Sequence, residues 1–238
     1  MSRRRRARFV VLEDLLARRR PDVDVGVIAE GRLLVDGRMV ANPRALVRLD
    51  ASLRVVADHR LRGDIKLSHA IDVLAIPIAG RIAVDIGASA GGFTTALLEH
   101  GASRVYAVDA GAGQLRGRLR SDPRVVNLEG HNLATVDACL VPDVIEIVTM
   151  DLSYLSVAAA VPQLSRLRLD VGADLIALVK PTFELRAPSL AASDCDVATA
   201  VERAELGMAL AGWQPVRRCE APATGQRRAR EAFIHAVR

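Results

Sequence analysis

Residues 84–98 read VDIGASAGGFTTALL, an apolar run that enters a turn rich in glycine and leaves as a second apolar run. Gly87, Gly91 and Gly92 sit in the turn. Glycine supplies positive φ and lets a backbone approach a ligand closely. RIAVDIG is therefore read as a strand, and GFTTALLEHG as a helix stopped by Gly101. The alternation continues outward. SRVYAVDAG is a second strand, RVVNLEG a third, DVIEIVTMD a fourth, ADLIALVKP a fifth and AREAFIHAVR the last. DVATAVERAELGMALAG is a helix capped by Asp194 or Asp196 and ended by Gly212. Strands of near-continuous Val, Ile and Leu, separated by helices, predict an α/β fold with a doubly wound parallel sheet covered on both faces. Such sheets bind ligands at the carboxyl ends of their strands.

Asp109 ends the second strand, 22 residues after Gly87. A carboxylate there can accept both ribose hydroxyls of an adenosine ligand, as in a dinucleotide or in S-adenosylmethionine (SAM). The dinucleotide fingerprint G-x-G-x-x-G is absent. The pattern is D-x-G-x-x-x-G-G-F, with Asp85 before the turn. An acid beside a pyrophosphate is repulsive, whereas beside a sulfonium and an amino group it is favourable. SAM is the preferred cofactor and a dinucleotide the alternative. Asp85, Gly87, Ala88, Ser89, Gly91, Gly92, Phe93 and Asp109 are the candidate cofactor contacts. The structural alternative is that Asp85 caps the turn and Asp109 the next loop.

The 238 residues are half apolar and 26% charged, as expected of a globular chain with a sizeable core. Aromatics are 3%, which argues against a Phe/Tyr platform for stacking unpaired bases. Cys139, Cys195 and Cys219 are scattered without metal spacing, a usage expected of a reducing cytosol. No apolar run reaches the roughly 18 residues of a membrane span. Glu13 and Asp14 interrupt the first apolar stretch, so the start is not read as a signal peptide. Residues 1–62 hold 15 Arg against 8 Asp and Glu, a balance of +7, and the remainder balances at −2. The arginines cluster at 3–6 and 18–20 and point to phosphate, hence to nucleic acid; a solvated arginine-rich face is the alternative. Of 33 basic residues only Lys66 and Lys180 are lysine.

The chain divides near residue 60. Residues 1–60 read as a small α+β domain. FVVLEDLLARRR (9–20) has a helical apolar pattern ended by Pro21, and a short helix before Gly31 follows. Asp36-Gly37 is a hairpin signal, and SLRVV (52–56) is a strand. EGRLLVDGRMVANPRALV (30–47) resembles the αL RNA-binding domain first known from a small-subunit ribosomal protein. That resemblance implies binding of structured RNA through the helical face. Asp22 and Asp24, in RRPDVD, stand where such domains usually carry a Ser-Arg pair.

The order RGDIKL (62–67), DIGASAGGFT, VDAGAGQL (108–115), DLSYLS (151–156), LVKPTFE (178–184) and REAFIHAVR (230–238) resembles the TlyA (haemolysin A) family of ribosomal RNA 2′-O-ribose methyltransferases, which belong with the FtsJ-type enzymes. The resemblance covers nearly the whole chain. It implies a SAM-dependent methyltransferase domain over 61–238, SAM as cofactor, and ribosomal RNA or a ribosomal subunit as partner, in the cytoplasm. It also implies a K-D-K-E catalytic set: Lys66, Asp151, Lys180 and Glu231. Asp151 would also face the cofactor, and Asn132, in LEGHNLAT, would meet its adenine side. A ribose hydroxyl is a poor nucleophile, so such an enzyme must align it and assist loss of its proton. A lysine beside a second cation can serve as that base. Lys180 is the expected base, oriented by Asp151; Lys66 is the neighbouring cation, oriented by Glu231.

Two segments depart from the family pattern. LRAPSLAASDCDVATA (185–200) lacks the glycines that usually follow K-P-x-F-E, and ATGQRRAREAF (223–233) replaces a Ser/Asn-rich approach to the last glutamate. Two other readings therefore remain open. One is a divergent enzyme that methylates another RNA or a small molecule; the other is an RNA-binding factor without catalysis.

Overall fold

The computed structural model describes residues 8–29, 32–40, 42–56, 61–187, 193–223 and 230–238. The arginine run at 3–6, Gly31 and most of the altered approach to Glu231 lie outside the described residues. The chain divides into two compact units. The first takes the chain up to His59 together with Arg116–Ser121; the second takes Arg60–Leu115 and Asp122–Arg238. No helix among the described residues is long and apolar enough to cross a membrane.

In the first unit, β1 (Phe9–Val11) leads into α1 (Leu12–Arg19), followed by α2 (Gly26–Ala29), β2 (Leu33–Val35), β3 (Arg38–Met39), β4 (Leu46–Arg48) and β5 (Leu53–Val55). The apolar pattern from residue 9 predicts one helix, but its first three residues are a strand paired antiparallel with β4. An aromatic and two β-branched residues favour that extended conformation. The helix begins where Leu12 N and Glu13 N donate to Ala45 O and Pro43 O. Leu12, Leu15 and Leu16 then pack with Ile28, Leu33 and Val47 in a small core. Asp36 and Gly37 take φ values of 49° and 78°, the positive pair that a tight β2–β3 hairpin requires. Several charges in this unit are engaged within it. Arg19 donates to Ala51 O at 2.7 Å and to Leu49 O. Arg20 pairs with Asp22 at 2.8 Å, and Asp24 accepts from Gly26 N at 2.6 Å at the start of α2. The two carboxylates in RRPDVD thus serve a local ion pair and a turn.

The second unit runs α3 (Arg62–Leu74), β6 (Ile82–Ile86), α4 (Gly92–Glu99) and β7 (Arg104–Asp109). After α5 (Gly117–Arg120), which lies in the segment grouped with the first unit, come β8 (Val125–Glu129), β9 (Ile145–Met150), α6 (Val157–Ala160), β10 (Leu169–Val179) and α7 (Pro181–Glu184). The chain finishes with α8 (Asp194–Leu210), β11 (Gln214–Glu220) and β12 (Ala232–Val237). Seven strands form one sheet in the order β11-β12-β10-β9-β6-β7-β8. From β6 the chain winds outward through β7 and β8, then returns to β9 on the other side. The gap between β6 and β9 is therefore the topological switch point, where open α/β sheets place their ligands.

The sheet is mixed rather than wholly parallel. β12 is antiparallel to β10, and β11 is antiparallel to β12. Antiparallel neighbours need no helical crossover, so the last strands can follow each other directly. The strand β11 escapes the sequence reading because it lies at the sheet edge and most of its residues are exposed; its polar residues hide the apolar signal. The start of α8 also differs from expectation. Ser193 is the N-cap, and Asp196 returns a bond to the Ser193 backbone, so the two form a capping box.

Gly207 lets α8 lie close on α6, since a Cβ there would come within 2.6 Å of Ala158 Cα. Helix propensity alone would make Gly207→Ala stabilising by about 1 kcal/mol. The backbone contact reverses the sign: overpacking of about 1–3 kcal/mol should dominate. Thermal melting of Gly207→Ala should show a lower midpoint than the parent, and a higher one would refute the close-contact account.

Candidate active site

Register places the site residues on one edge of the sheet. Ile86 is level with Val108 on β7 and with Met150 on β9, and Val179 on β10 is level with Ala232 on β12. The next residues outward are Gly87, Asp109, Asp151 and Lys180. Because β12 runs antiparallel, the residue that precedes it, Glu231, emerges at the same edge. Lys66 comes from α3, whose glycine Gly63 lies against α4: a Cβ on Gly92 would stand 2.9 Å from Gly63 Cα.

The glycine turn opens a cleft of about 320 Å³, lined among others by Arg62, Gly63, Gly87, Ser89, Phe93 and Asp151. Ala88 and Gly92 also line it. Gly87 has φ of 89°, and a Cβ on it would lie 2.6 Å from Asp151 O, so conformation and space both require glycine. Gly91, with φ of 91°, caps α4. Phe93 is 2% exposed and packs against Phe233 at 5.9 Å between ring centroids, so it belongs mainly to the core. Leu61, Arg62, Gly63 and Ala90 complete the wall and were missed in the sequence. The glycine of RGDIKL, within a helical stretch, was the available signal of a close approach.

Asp109 accepts from Ser89 N at 2.8 Å and from Gly111 N at 2.7 Å. It ties the glycine turn to its own loop, and each carboxylate oxygen retains a further acceptor position. Asn132 is exposed; it accepts from Ala134 N at 3.1 Å at the head of a 3-10 turn. Its neighbour His131 donates its N–H to Asp109 O at 3.0 Å, which brings Asn132 beside the β7 end. The small turn residues, the open cleft and a carboxylate at the next strand end fit an adenosine cofactor.

Asp85 departs from its expected part. It has no exposed surface, and its carboxyl accepts from Thr94 Oγ1 at 2.7 Å and Thr149 Oγ1 at 2.9 Å. It does not face the cleft; it joins β6 to α4 and β9 beneath it. Burial pushes its pKa up to about 7, with the two threonine bonds opposing and the nearby Asp151 charge adding. The folded value lies above the unfolded one near 3.8, so the folded chain holds the extra proton between about pH 4 and 7. Stability must fall as pH rises through that window, with the full cost present above it. An Asn keeps the threonine contacts and does not titrate. The melting midpoint of Asp85→Asn relative to the parent should therefore rise from pH 4.5 to pH 8. A constant difference would rule out the titration.

Both lysines are mostly buried and each meets a carboxylate. Lys66 Nζ lies 2.5 Å from Glu231 Oε2. Lys180 Nζ lies 2.6 Å from Asp151 Oδ1, but outside hydrogen-bond geometry, and its directional bond goes to Ser153 Oγ at 3.1 Å. The first contact is therefore a charge contact and the second a hydrogen bond. Lys180 also stands 5.9 Å from the centre of the Phe183 ring. Ser153 was not singled out in the sequence; its place in DLSYLS, two residues past Asp151, was the only signal. The four residues of the K-D-K-E set thus form two ion pairs.

Comparison with known proteins shows the family. Residues 59–238 match the FtsJ-like methyltransferase family. The chain is 38% identical over 194 residues to the 16S/23S rRNA (cytidine-2'-O)-methyltransferase TlyA of Mycobacterium tuberculosis, across 78% of this chain and 70% of that protein. It is 33% identical to Hemolysin A of Brachyspira hyodysenteriae over 66% of this chain and 67% of the relative. A solved hemolysin-type structure from Streptococcus thermophilus superposes with a TM-score of 0.71 at 26% identity, covering 97% of this chain and 88% of that one. The fold, with its glycine turn beside the switch point, is therefore that of a SAM-dependent methyltransferase, and the chain belongs to the FtsJ-like methyltransferase family, in the group that holds the TlyA proteins.

Proposed function

We propose that the chain methylates a ribose 2′-hydroxyl of ribosomal RNA, with Lys180 as the base that receives the hydroxyl proton. The observation that carries this reading is the pair of ion pairs at one sheet edge, Lys180–Asp151 and Lys66–Glu231, in a chain with only two lysines. Gly87, Ala88, Ser89 and Gly92 would cradle SAM, with Asp109 on its ribose and Asn132 beside the adenine. SAM supplies the electrophilic methyl group. Asp151 and Ser153 hold the Lys180 nitrogen in place, an amine before it takes the proton and an ammonium after, and Glu231 holds Lys66. Their shared task is to fix the hydroxyl in line and remove its proton. The substrate named for the TlyA relative supports ribosomal RNA, which would place the enzyme in the cytoplasm.

Arginine does not give up its proton near neutral pH, and its fork is wider than an ammonium group. Lys180→Arg should fold and bind SAM, yet lose at least the roughly 10²-fold rate associated with a general base. Lys66→Arg should be milder, since the charge survives. Single-turnover methylation of ribosomal subunits, with melting curves as a folding control, measures both. Full activity in Lys180→Arg would eliminate the base. Mass-spectrometric mapping of ribose methylation, in cells with and without the gene, then identifies the nucleotide; no lost methylation would refute the ribosomal reading.

The first unit supports RNA binding through its charge. Arg18, Arg38, Arg44 and Arg54 are exposed, whereas Arg19 is committed to Leu49 and Ala51. Each unit has its own apolar core, so a chain starting at Leu61 can be tested. That truncation should retain SAM binding and lose RNA affinity. RNA affinity of the full chain should fall steeply with salt, as counterion release demands. Equal RNA binding by the truncated chain would exclude the first unit from the task.

A further inference from the structure

Glu184, the last residue of LVKPTFE, takes no part in the reaction outlined above, yet it is only 4% exposed. It ends α7, the short helix that begins directly after Lys180. Its carboxylate accepts from the backbone N–H of Val157, the first residue of α6, which follows the segment that carries Asp151 and Ser153. Ala158 N–H adds a second backbone interaction. Burial pushes the Glu184 pKa up, while these amides and Arg203 on α8 pull it down. Its Oε2 has no hydrogen-bond partner among the described residues. Burying a carboxylate costs free energy, and this one serves no ion pair at the reacting edge.

We propose that Glu184 is a positioning residue for methyl transfer: it clamps the segment after β9 to the segment after β10, and so holds Asp151 and Ser153 in register with Lys180. Two polar contacts join the two segments. One is the Lys180 contact with Asp151 at 2.6 Å and Ser153 at 3.1 Å. The other is the Glu184 contact with the start of α6. A contact between backbone and a buried side chain can hold the first geometry more firmly than the lysine tip alone, because the four-carbon stem of lysine is flexible. The idea rests on Lys180 being part of the transfer machinery, but it can be tested without the RNA.

The chain offers an unusually clean probe, because isotope-labelled lysine gives only two side-chain NMR signals. Lys66→Arg assigns them. Glu184→Ala should shift or broaden the Lys180 signal, leave the Lys66 signal in place, and keep SAM affinity within about threefold, since the glycine turn is untouched. Single-turnover methylation of ribosomal subunits should fall by about 10²-fold, the scale of a misplacement of about 1 Å. Glu184→Gln should restore both readouts, because its amide oxygen can accept from Val157 N–H while its nitrogen replaces the unpartnered oxygen. Glu184→Asp, one methylene too short, should behave like Ala; it decides the matter if the alanine variant fails to fold. An unmoved Lys180 signal, an equal shift of Lys66, or no rescue by Gln would overturn the proposal. Absence of methyl transfer by the parent protein would instead sink the ribosomal reading, with the NMR comparison still deciding the clamp.

Discussion

The carboxyl of Asp85, buried between Thr94 and Thr149, is the contact on which the glycine-turn edge of the sheet depends. It joins the central strand to the helix that follows the glycine turn and to the neighbouring strand across the switch point. A strand, the helix that follows it and a strand 64 residues further on are thereby fixed at the level where the cleft opens. The cost is a carboxyl with its pKa pushed up to about 7, with no exposed surface and no cation paired with it among the described residues. Burying an acid there makes sense only if the geometry above it must be reproducible.

That geometry rests on backbone proximity. Gly87 meets the Asp151 carbonyl, and Gly92 meets Gly63, at distances that no Cβ would allow. The first contact joins the glycine turn to the strand end that bears Asp151. The second brings α3, with Lys66 on it, against the start of α4. Glycines are thus used to bring the lysine pairs and the cofactor cleft together, in addition to forming the turn. Asp109 completes the frame by receiving the amides of Ser89 and Gly111.

The charge pattern divides in a related way. Of the 33 basic residues only two are lysine, and both are mostly buried against carboxylates at one edge. Arginine elsewhere does structural work, as Arg19 does between Leu49 and Ala51 or Arg81 does with Asp174 at 2.5 Å. A wide, permanently charged fork suits those places. The two lysines instead place a compact ammonium group on a flexible stem against a carboxylate.

The sequence by itself determined the alternation of strands and helices and the glycine turn, because each is written in local apolar period or in a short motif; its short motifs also offered Lys66, Asp151, Lys180 and Glu231 as candidates for the site. Asp36-Gly37 likewise carries its hairpin in two residues. The sequence could not determine that Asp85 turns inward. Its place before the turn allows either direction, and only the packing of Thr94 and Thr149, respectively 9 and 64 residues away, decides between them. Nor could it reveal the antiparallel setting of β12, since strand direction depends on pairing between segments and leaves no mark in a strand's own composition. That direction is what brings Glu231 to the edge where Lys66 waits. The cap at Ser193 and the strand β11 were hidden for simpler reasons: two better-known capping residues stood beside the first, and exposure erased the pattern of the second.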